Sequence, residues 1–574
     1  MAIPLFTELK RRRVFRALVG YGIAAFAVLQ IIEPIMHGLR WPDAVLTWVV
    51  VGLAAGFPLV VGLGWIFDVT PEGVERTPSW PGLRGPRLAL VLAAVGALSA
   101  APGLLYYLVV RARPSAPAAT DLSIAVLPFA NLSSDKEQEY FSDGIAEEIL
   151  NALAQVNGLR VIGRTSSFSV KGKSEDLRAI GQQLNAANLL EGSVRKAGSR
   201  VRITAQLVEA AGGSHLWSQQ FDRELTDVFA VQEEIAQAVV SALKLKLLPA
   251  APPGLRTVNP EAHDRYLLGR NYLQRGSPEA YRLALQALSS SVEQDPAYAP
   301  AWAALAEAHY RAADHNPLVY PPDVEWPKAL AAAEKAIFLG PSISDGYTAR
   351  GHLRVSLLND WTGARADLEK ARALNPGGAE LASEYGWLLA TLGRMPEAID
   401  AMKRAVELDP LSAESLVRLS GFYLGTGQLG LAEATARRAA QVAPEHSRSA
   451  RNLGFALLLG NRLEEAREAF LRSTNRLFVL MGTAMVEHAL GHPADSQRSL
   501  DAILVLPTVL QASYQLAEVY SFRGEADKAF EWLGRAIEHR DAGLNYLKYD
   551  PFMKNIRADP RFAAVLARLK LPPG

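Results

Sequence analysis

The sequence predicts a multidomain chain: three transmembrane α-helices, a small α+β domain and an all-α solenoid of repeats. Three observations predict it. Three long apolar stretches lie between Val14 and Val110, strand and helix signals alternate over residues 121–246, and the remainder repeats with a 34-residue period.

The apolar stretches are Val14–Met36, Ala44–Phe67 and Leu88–Val110. About 20 apolar residues cross a hydrocarbon core, so each is long enough to span. Lys10, Arg11, Arg12, Arg13 and Arg16 precede or open the first, and Arg76, Arg84 and Arg87 lie between the second and third. Only Arg40, Arg111 and Arg113 fall on the other side. Basic residues stay cytoplasmic. The expected topology therefore has residues 1–13 in the cytoplasm, a membrane unit over 14–110 and residues 111–574 outside, in the periplasm if the membrane is a bacterial inner membrane. No small-x-small site precedes Glu33-Pro34, which argues against a cleaved signal peptide. Glu33 falls close to the far interface, where it can meet water, although an intramembrane carboxylate is also a functional candidate. Gly52 and Gly56 form a GxxxG whose simplest use is packing among the three spans.

Composition narrows the functional classes. Lys and Arg number 60 against 59 Asp and Glu, for a net charge of +1, so no electrostatic footprint for nucleic acid exists. Cysteine is absent, which removes disulfides, thiolate metal sites and a cysteine nucleophile. Two Pro/Ala-rich runs, 111–120 and 247–260, read as spacers on either side of the α+β domain.

Within that domain, Ser123–Phe129 reads as a buried strand, 138–156 as a helix through Ile145, Ile149, Leu150 and Leu153, and Leu159–Ile162 as a second strand. A helix beginning at Ser174 carries Leu177, Ile180 and Leu184. Asn188–Lys196 and Arg200–Glu209 alternate around Ala197-Gly198-Ser199 as a hairpin does, His215–Asp222 adds a third member, and a last helix runs from Asp227 to Leu245.

The runs IAVLPFANLS (124–133), YFSDGIAEEI (140–149), RTSSF (164–168), LEGSVRKAGSRVRITAQLVEA (190–210), HLWSQQFDREL (215–225) and VFAVQEEIA (228–236) carry a resemblance. They resemble the TolB-amino-terminal-like, or FlgO-type, domain, which often precedes tetratricopeptide repeats. The resemblance implies relatives with a fused adenylate cyclase or a DNA-binding winged helix upstream of a membrane segment. Neither is expected to fit ahead of Val14, nor in the loop Asp68–Arg87.

Several residues here imitate catalytic motifs. Gly172-Lys173-Ser174 ends like a phosphate-binding loop, but the glycine such a loop needs falls at Ser167. Glu147 and Glu148 are adjacent on a helix, point in different directions, and read as a solvated face rather than an acid/base pair. His215 beside Trp217 reads as structural before catalytic. Arg195, Arg200 and Arg202 could hold an anion, although a solvated strand face explains them as well. No catalytic, cofactor-binding or metal-binding residue is assigned, no cofactor is expected, and the chain does not read as an enzyme.

The repeats occupy 261–548, with about eight units. Pro296, Pro341, Pro376, Pro410 and Pro444 close successive units, the last two intervals matching the 34-residue period. Tetratricopeptide positions recur at Gly386, Ala398 and Ala405, at Leu419, Tyr423, Ala432 and Ala439, and at Leu453, Gly454, Ala466 and Phe470. A late unit has Leu516, Ala517, Tyr520, Gly524, Ala529 and Ala536. Trp302, Leu305 and Tyr310 open an early one, lengthened around Pro317–Pro327, and 472–509 look degraded. A cap over 549–574 ends the array, with Tyr549–Leu571 as a capping helix. Such arrays curve into a solenoid with a concave groove. Trp302, Trp361, Trp387, Tyr423 and Trp532 sit at packing positions. His488 and His492 have helical zinc-ligand spacing but no evident third ligand.

These features predict an integral-membrane interaction scaffold that takes a protein or peptide partner in its repeat groove. The residues that bind the partner, and the oligomeric state, are left open. The alternative is a sensor that works with a separate cytoplasmic effector. An adenylate cyclase is a weaker alternative, because no paired metal-binding aspartates stand in a matching context.

Overall fold

The computed structural model describes residues 122–173, 176–243, 259–316 and 319–572, a strand pair at 67–70 and 73–76, and the single positions Tyr21, Val28 and Leu53. The chain divides into two units, Met1–Thr120 and Asp121–Gly574. In the first, β1 (Phe67–Thr70) pairs antiparallel with β2 (Gly73–Arg76), within a region expected to be a loop.

The second unit begins with a six-stranded sheet of order β5-β3-β6-β7-β8, with β4 also paired to β6. Its strands are β3 (Ser123–Val126), β4 (Ala130–Asn131), β5 (Arg160–Val161), β6 (Asn188–Ala197), β7 (Arg200–Glu209) and β8 (His215–Glu224). β3 runs parallel to β5 and β6, and β6, β7 and β8 form an antiparallel meander. Gly198, at φ +60, makes the β6–β7 turn where a side chain would be strained. Helices α1 (Glu139–Ala154) and α4 (Val228–Ala242) cover one face, where Ile145, Ile149, Val231 and Ile235 meet Ile203 and Leu207. Short α2 (Arg164–Phe168) follows β5, and α3 (Leu177–Leu184), N-capped by Asp176, packs Ile180 and Leu184 on the opposite face.

Among the described residues, sixteen further helices pair into eight antiparallel hairpins. They are α5 (Pro260–Arg275) with α6 (Pro278–Gln294), α7 (Ala299–His315) with α8 (Pro322–Leu339), α9 (Ser344–Leu353) with α10 (Trp361–Leu374), and α11 (Ala379–Thr391) with α12 (Met395–Leu408). After them come α13 (Ala413–Gly425) with α14 (Leu429–Val442), α15 (Ser447–Leu459) with α16 (Leu463–Leu471), α17 (Arg476–Ala489) with α18 (Pro493–Leu504), and α19 (Ser513–Phe522) with α20 (Ala526–Glu538). Asn259 and Ser277 cap α5 and α6 through their side-chain oxygens, each followed by a proline at the first helical position. Small residues set the hairpin spacing. Ala398, Ala405, Ala432, Ala439, Ala466, Ala529 and Ala536 are all fully buried, and a Cβ on Gly454 would fall 2.7 Å from the Phe470 ring. The stretch that looks degraded in sequence forms a regular hairpin, with Gly482 admitting the same Phe470 ring.

Two expectations are corrected. Tyr549–Leu571 is not one capping helix. The end of the chain forms 3-10 turns at Ala542–Tyr546 and Pro551–Ile556, then the short α21 (Pro560–Arg568). More broadly, the chain is mostly helical, with tetratricopeptide repeats and a small sheet region, and no helix among the described residues is long and apolar enough to cross a membrane. A spanning helix needs about 20 apolar residues. The longest described helix, α8, has 18 and carries Asp323 and Glu325 in its first turn. Three transmembrane helices are therefore removed from the fold class. The multi-pass inner-membrane localisation, with 111–574 periplasmic, is removed with them. The stretches Val14–Met36, Ala44–Phe67 and Leu88–Val110, with Glu33, Gly52 and Gly56, lie outside the described residues except at Tyr21, Val28, Leu53 and Phe67. The segments 1–13 and 111–120 lie outside them too, as does 247–258.

Candidate functional site

First helices of neighbouring hairpins touch one another along the array, whereas second helices do so less, so the first helices line the inner side of the curve. That inner groove is the candidate site. Its floor carries a ladder of charged residues, one or two from each first helix between α5 and α15.

The ladder starts inside the α+β domain. Glu147 on α1 is buried and bridges Arg164 (2.7 Å) and Arg270 (2.6 Å). Arg270 continues to Glu307 (3.6 Å), which Arg311 also holds (2.7 Å). Further along, Glu384 takes His352 (2.7 Å) and Arg418 (2.8 Å), and Arg418 reaches Glu414 (2.9 Å), which binds Arg448. Burial alone would raise Glu384, but Arg418 and His352 outweigh it and hold the carboxyl at about 2. Glu380 stands between the two runs, open to the groove, with no ion-pair partner among the described residues. Desolvation by the groove walls around this exposed side chain raises it to about 7, with Glu307 adding to the shift and Arg311 opposing it.

The chain itself builds both rims of this groove. One rim is the α+β domain, which meets the loops between hairpins. The Gly377 amide donates to the Ala154 carbonyl (3.1 Å), the Gly163 amide to the Leu408 carbonyl (2.6 Å), and the Ser166 amide and hydroxyl to the buried Asp409 carboxylate. Tyr140 and Lys196 both reach Asp264, at 2.7 and 2.8 Å. Glu148 receives the His263 ring (3.0 Å) and Gln232. Glu147 and Glu148 thus point in different directions, but they join two domains rather than forming the solvated face expected of them.

The other rim is the C-terminal strap, residues 541–571, which meets the loops within hairpins. Lys548 lies against Gly393 and Tyr549 against Gly425, while Tyr549 and Phe552 pack on Phe422 and Phe455 with ring centroids 5.5 and 4.5 Å apart. The Trp361 indole donates to the Leu569 carbonyl (3.0 Å).

The motifs singled out in sequence separate clearly. Arg200 and Arg202 are both consumed by Asp222 (2.6 and 2.7 Å), and Arg195 donates to the Leu132 carbonyl (3.2 Å). Gly172 makes a turn at φ +74, Ser167 is buried on the Ile162 carbonyl, and Ser174 lies outside the described residues. His215 is exposed on β8, with Trp217 packed toward Phe221. Trp361, Trp387, Tyr423 and Trp532 are buried, and Trp302 is half-buried on the Pro296 carbonyl. His488 packs edge-on to Phe522 and does not join His492. Instead Glu487, His492 and Asp495 bring ligand atoms within 4.8 Å of one another. Glu487 is already held there by Arg467 (2.7 Å) and His492 (2.9 Å). The spacing of two histidines pointed away from this cluster, whose other members are carboxylates on either side of His492.

Comparison with known proteins divides the second unit in the same way. The family model described as HilA/YgeH-like transcriptional regulator, second domain, matches residues 120–238, where the sequence leads one to expect a TolB/FlgO-type domain. A tetratricopeptide repeat model matches 357–413 and 423–476. "Putative adenylate cyclase 3" of Rhizobium meliloti (strain 1021) is 38% identical over 242 residues, 42% of this chain and 40% of that protein. "Transcriptional regulator HilA" of Salmonella typhimurium is 23% identical over 332 residues, 56% of this chain and 57% of that one. The chain thus spans about half the length of these relatives. Among solved structures, PilW, a type IV pilus biogenesis factor, is similar over 36% of this chain and 96% of its own, at 19% identity and a TM-score of 0.31. YrrB, a tetratricopeptide repeat protein with an unusual peptide-binding site, covers 38% of this chain and 100% of its own, at 20% identity and a TM-score of 0.26.

Proposed function

We propose that this protein is an interaction scaffold whose inner groove receives an extended segment of a partner protein. The observation that carries this reading is the ladder itself. Glu307, Arg311, Glu384, Arg418 and Glu414 are paired along it, whereas Glu380 faces the groove without an ion-pair partner among the described residues. A lysine or arginine of the partner completes the row there. Its gain includes relief of the repulsion that Glu307 and Glu384 exert on the Glu380 charge. The α+β domain, already joined to the repeats, is a second docking surface. No catalytic step belongs to this function, and cyclic nucleotide made by the purified chain would contradict it.

The test is photo-crosslinking from two positions in cells of the source organism. A crosslinker at Glu380 is expected to capture one partner that a crosslinker at the exposed Lys403, on α12, does not. Identical captures from both positions, or none from Glu380, would overturn the groove as the binding surface.

A second reading is favoured by the names of the partial relatives, a putative adenylate cyclase and a transcriptional regulator. It makes this chain the sensing component for a separate effector. It predicts that the captured partner carries a cyclase or DNA-binding domain.

A further inference from the structure

The strap is tied to the last hairpin by carboxyl groups that have no cation on them among the described residues. Asp550 accepts from the Phe552 amide (2.8 Å) and the Tyr514 hydroxyl (2.8 Å), so both its oxygens already have donors. The Glu518 carboxyl on α19 meets Asp550 as its hydrogen-bond partner, and both residues are buried. Two carboxylates cannot share such a contact; one must carry a proton. Because Asp550 is saturated with donors, the proton belongs on Glu518. A void of about 40 Å³ lies beside the pair, between the strap and α13, α15 and α19, enough for about one water.

The surroundings do not relieve this arrangement. Arg451 on α15 faces the pair, but its guanidinium is stacked over the Phe478 and Tyr546 rings at 4.8 and 6.0 Å. Arg418 on α13 lies nearer Tyr549, and on the strap Arg557 donates to the Asp550 backbone carbonyl. Tyr514, Tyr546 and Tyr549 add no positive charge. Asp541, at the start of the strap, accepts from the Tyr514 and Gly543 amides and adds a further negative charge when ionised.

We propose that residues 541–571 are a proton-latched strap on the inner groove. It stays closed while Glu518 keeps its proton and donates that O–H to Asp550, and it loosens when both carboxyls ionise. Burial raises both carboxyls, Glu518 well above its ordinary value, so the closed strap binds more protons than the open one. Closure is then strongest below the open-state carboxyl range and weakens as pH rises through it toward the closed-state value. Strap opening widens one rim of the groove. Its regulatory meaning rests on the scaffold reading, whereas the opening itself does not.

Hydrogen–deuterium exchange on the full chain, corrected for intrinsic rates, tests this without any partner. Amides of Leu544–Ile556 are expected to lose protection at least tenfold from pH 5 to pH 8.5, while those of α6 do not follow. Glu518→Gln, which keeps a permanent donor toward Asp550, is expected to cut that loss to under threefold. Asp550→Asn supplies the donor from the other side and is expected to do the same if Glu518→Gln fails to fold. A flat native profile would overturn the latch. A Glu518→Gln profile as steep as the native one would overturn it as well, by moving the titration to Asp541. A failed capture at Glu380 alongside a titrating strap would remove the scaffold reading and leave the latch standing.

Discussion

The two rims of the groove differ in the polar links laid over their apolar packing. On the α+β rim, Tyr266, Leu267 and Leu273 of α5 share an apolar core with Ile145 and Ile149 of α1, and charged groups lie beside it: Glu147 between two guanidiniums, Asp409 under the Ser166 amide and hydroxyl, and Asp264 between Tyr140 and Lys196. The strap rim buries Leu547, Phe552, Met553 and Ile556, and neutral donors tie it down: the Trp361 indole, the Tyr514 amide and hydroxyl, the Ser521 hydroxyl and the Asn555 amide. Polar pairs fix geometry but contribute little net energy, since desolvation offsets much of their attraction. Apolar burial contributes energy with little direction. Apolar burial therefore holds both rims on the repeats, with charged pairs setting the register of the α+β domain and neutral hydrogen bonds that of the strap.

Three single substitutions, one double variant and one condition break or sharpen this contrast. The largest expected effect is Phe552→Ala, which removes a ring packed on both Phe455 and Phe522. It should cost about 3–5 kcal/mol in chemical denaturation of the repeats. Arg270→Met leaves Glu147 with one guanidinium in place of two and should cost about 3 kcal/mol. The double variant with Glu147→Gln should recover much of that loss, which a double-mutant cycle would measure. Asp409→Ala leaves the Ser166 amide without its acceptor in a buried site, for about 1–3 kcal/mol.

The smallest effect is on pH, and its sign differs between the regions. Glu384 is held at about 2, below its ordinary 4.5, so its contribution is present above 4.5 and fades as pH falls toward 2. Asp541 is pushed up by burial to about 6, so its contribution is fullest below its ordinary 3.8 and is lost as pH rises through 6. Acid should loosen the ladder and tighten the strap. Urea midpoints near pH 3, 5 and 7.5 should therefore be highest at the middle value.

What the sequence made legible was local. The alanines at 398, 405, 432 and 439 announced hairpin contacts because the two partners lie within one repeat unit. The β6–β7 hairpin was readable for the same reason, from alternation around Gly198. The rims were not readable, because their partners are distant in the chain. Glu147 reaches Arg270 across 123 residues, and Trp361 reaches Leu569 across 208. Tyr549–Leu571 was read as a helix capping the end of the array, whereas it packs along α13, α15 and α19 as well. The apolar stretches near the amino terminus gave a membrane reading that no described helix upholds.

The absence of native cysteine makes the most direct measurement clean. Asn555 of the strap donates through Nδ2 to the Ser521 carbonyl of α19, at 2.9 Å. A full chain carrying Ser521→Cys and Asn555→Cys, brought to equilibrium with a fixed ratio of oxidised to reduced glutathione, whose disulfide is the oxidant, should hold its intramolecular disulfide more fully at pH 5 than at pH 8.5. No crosslink at either pH, or one that joins separate chains, would contradict a strap closed on its own groove.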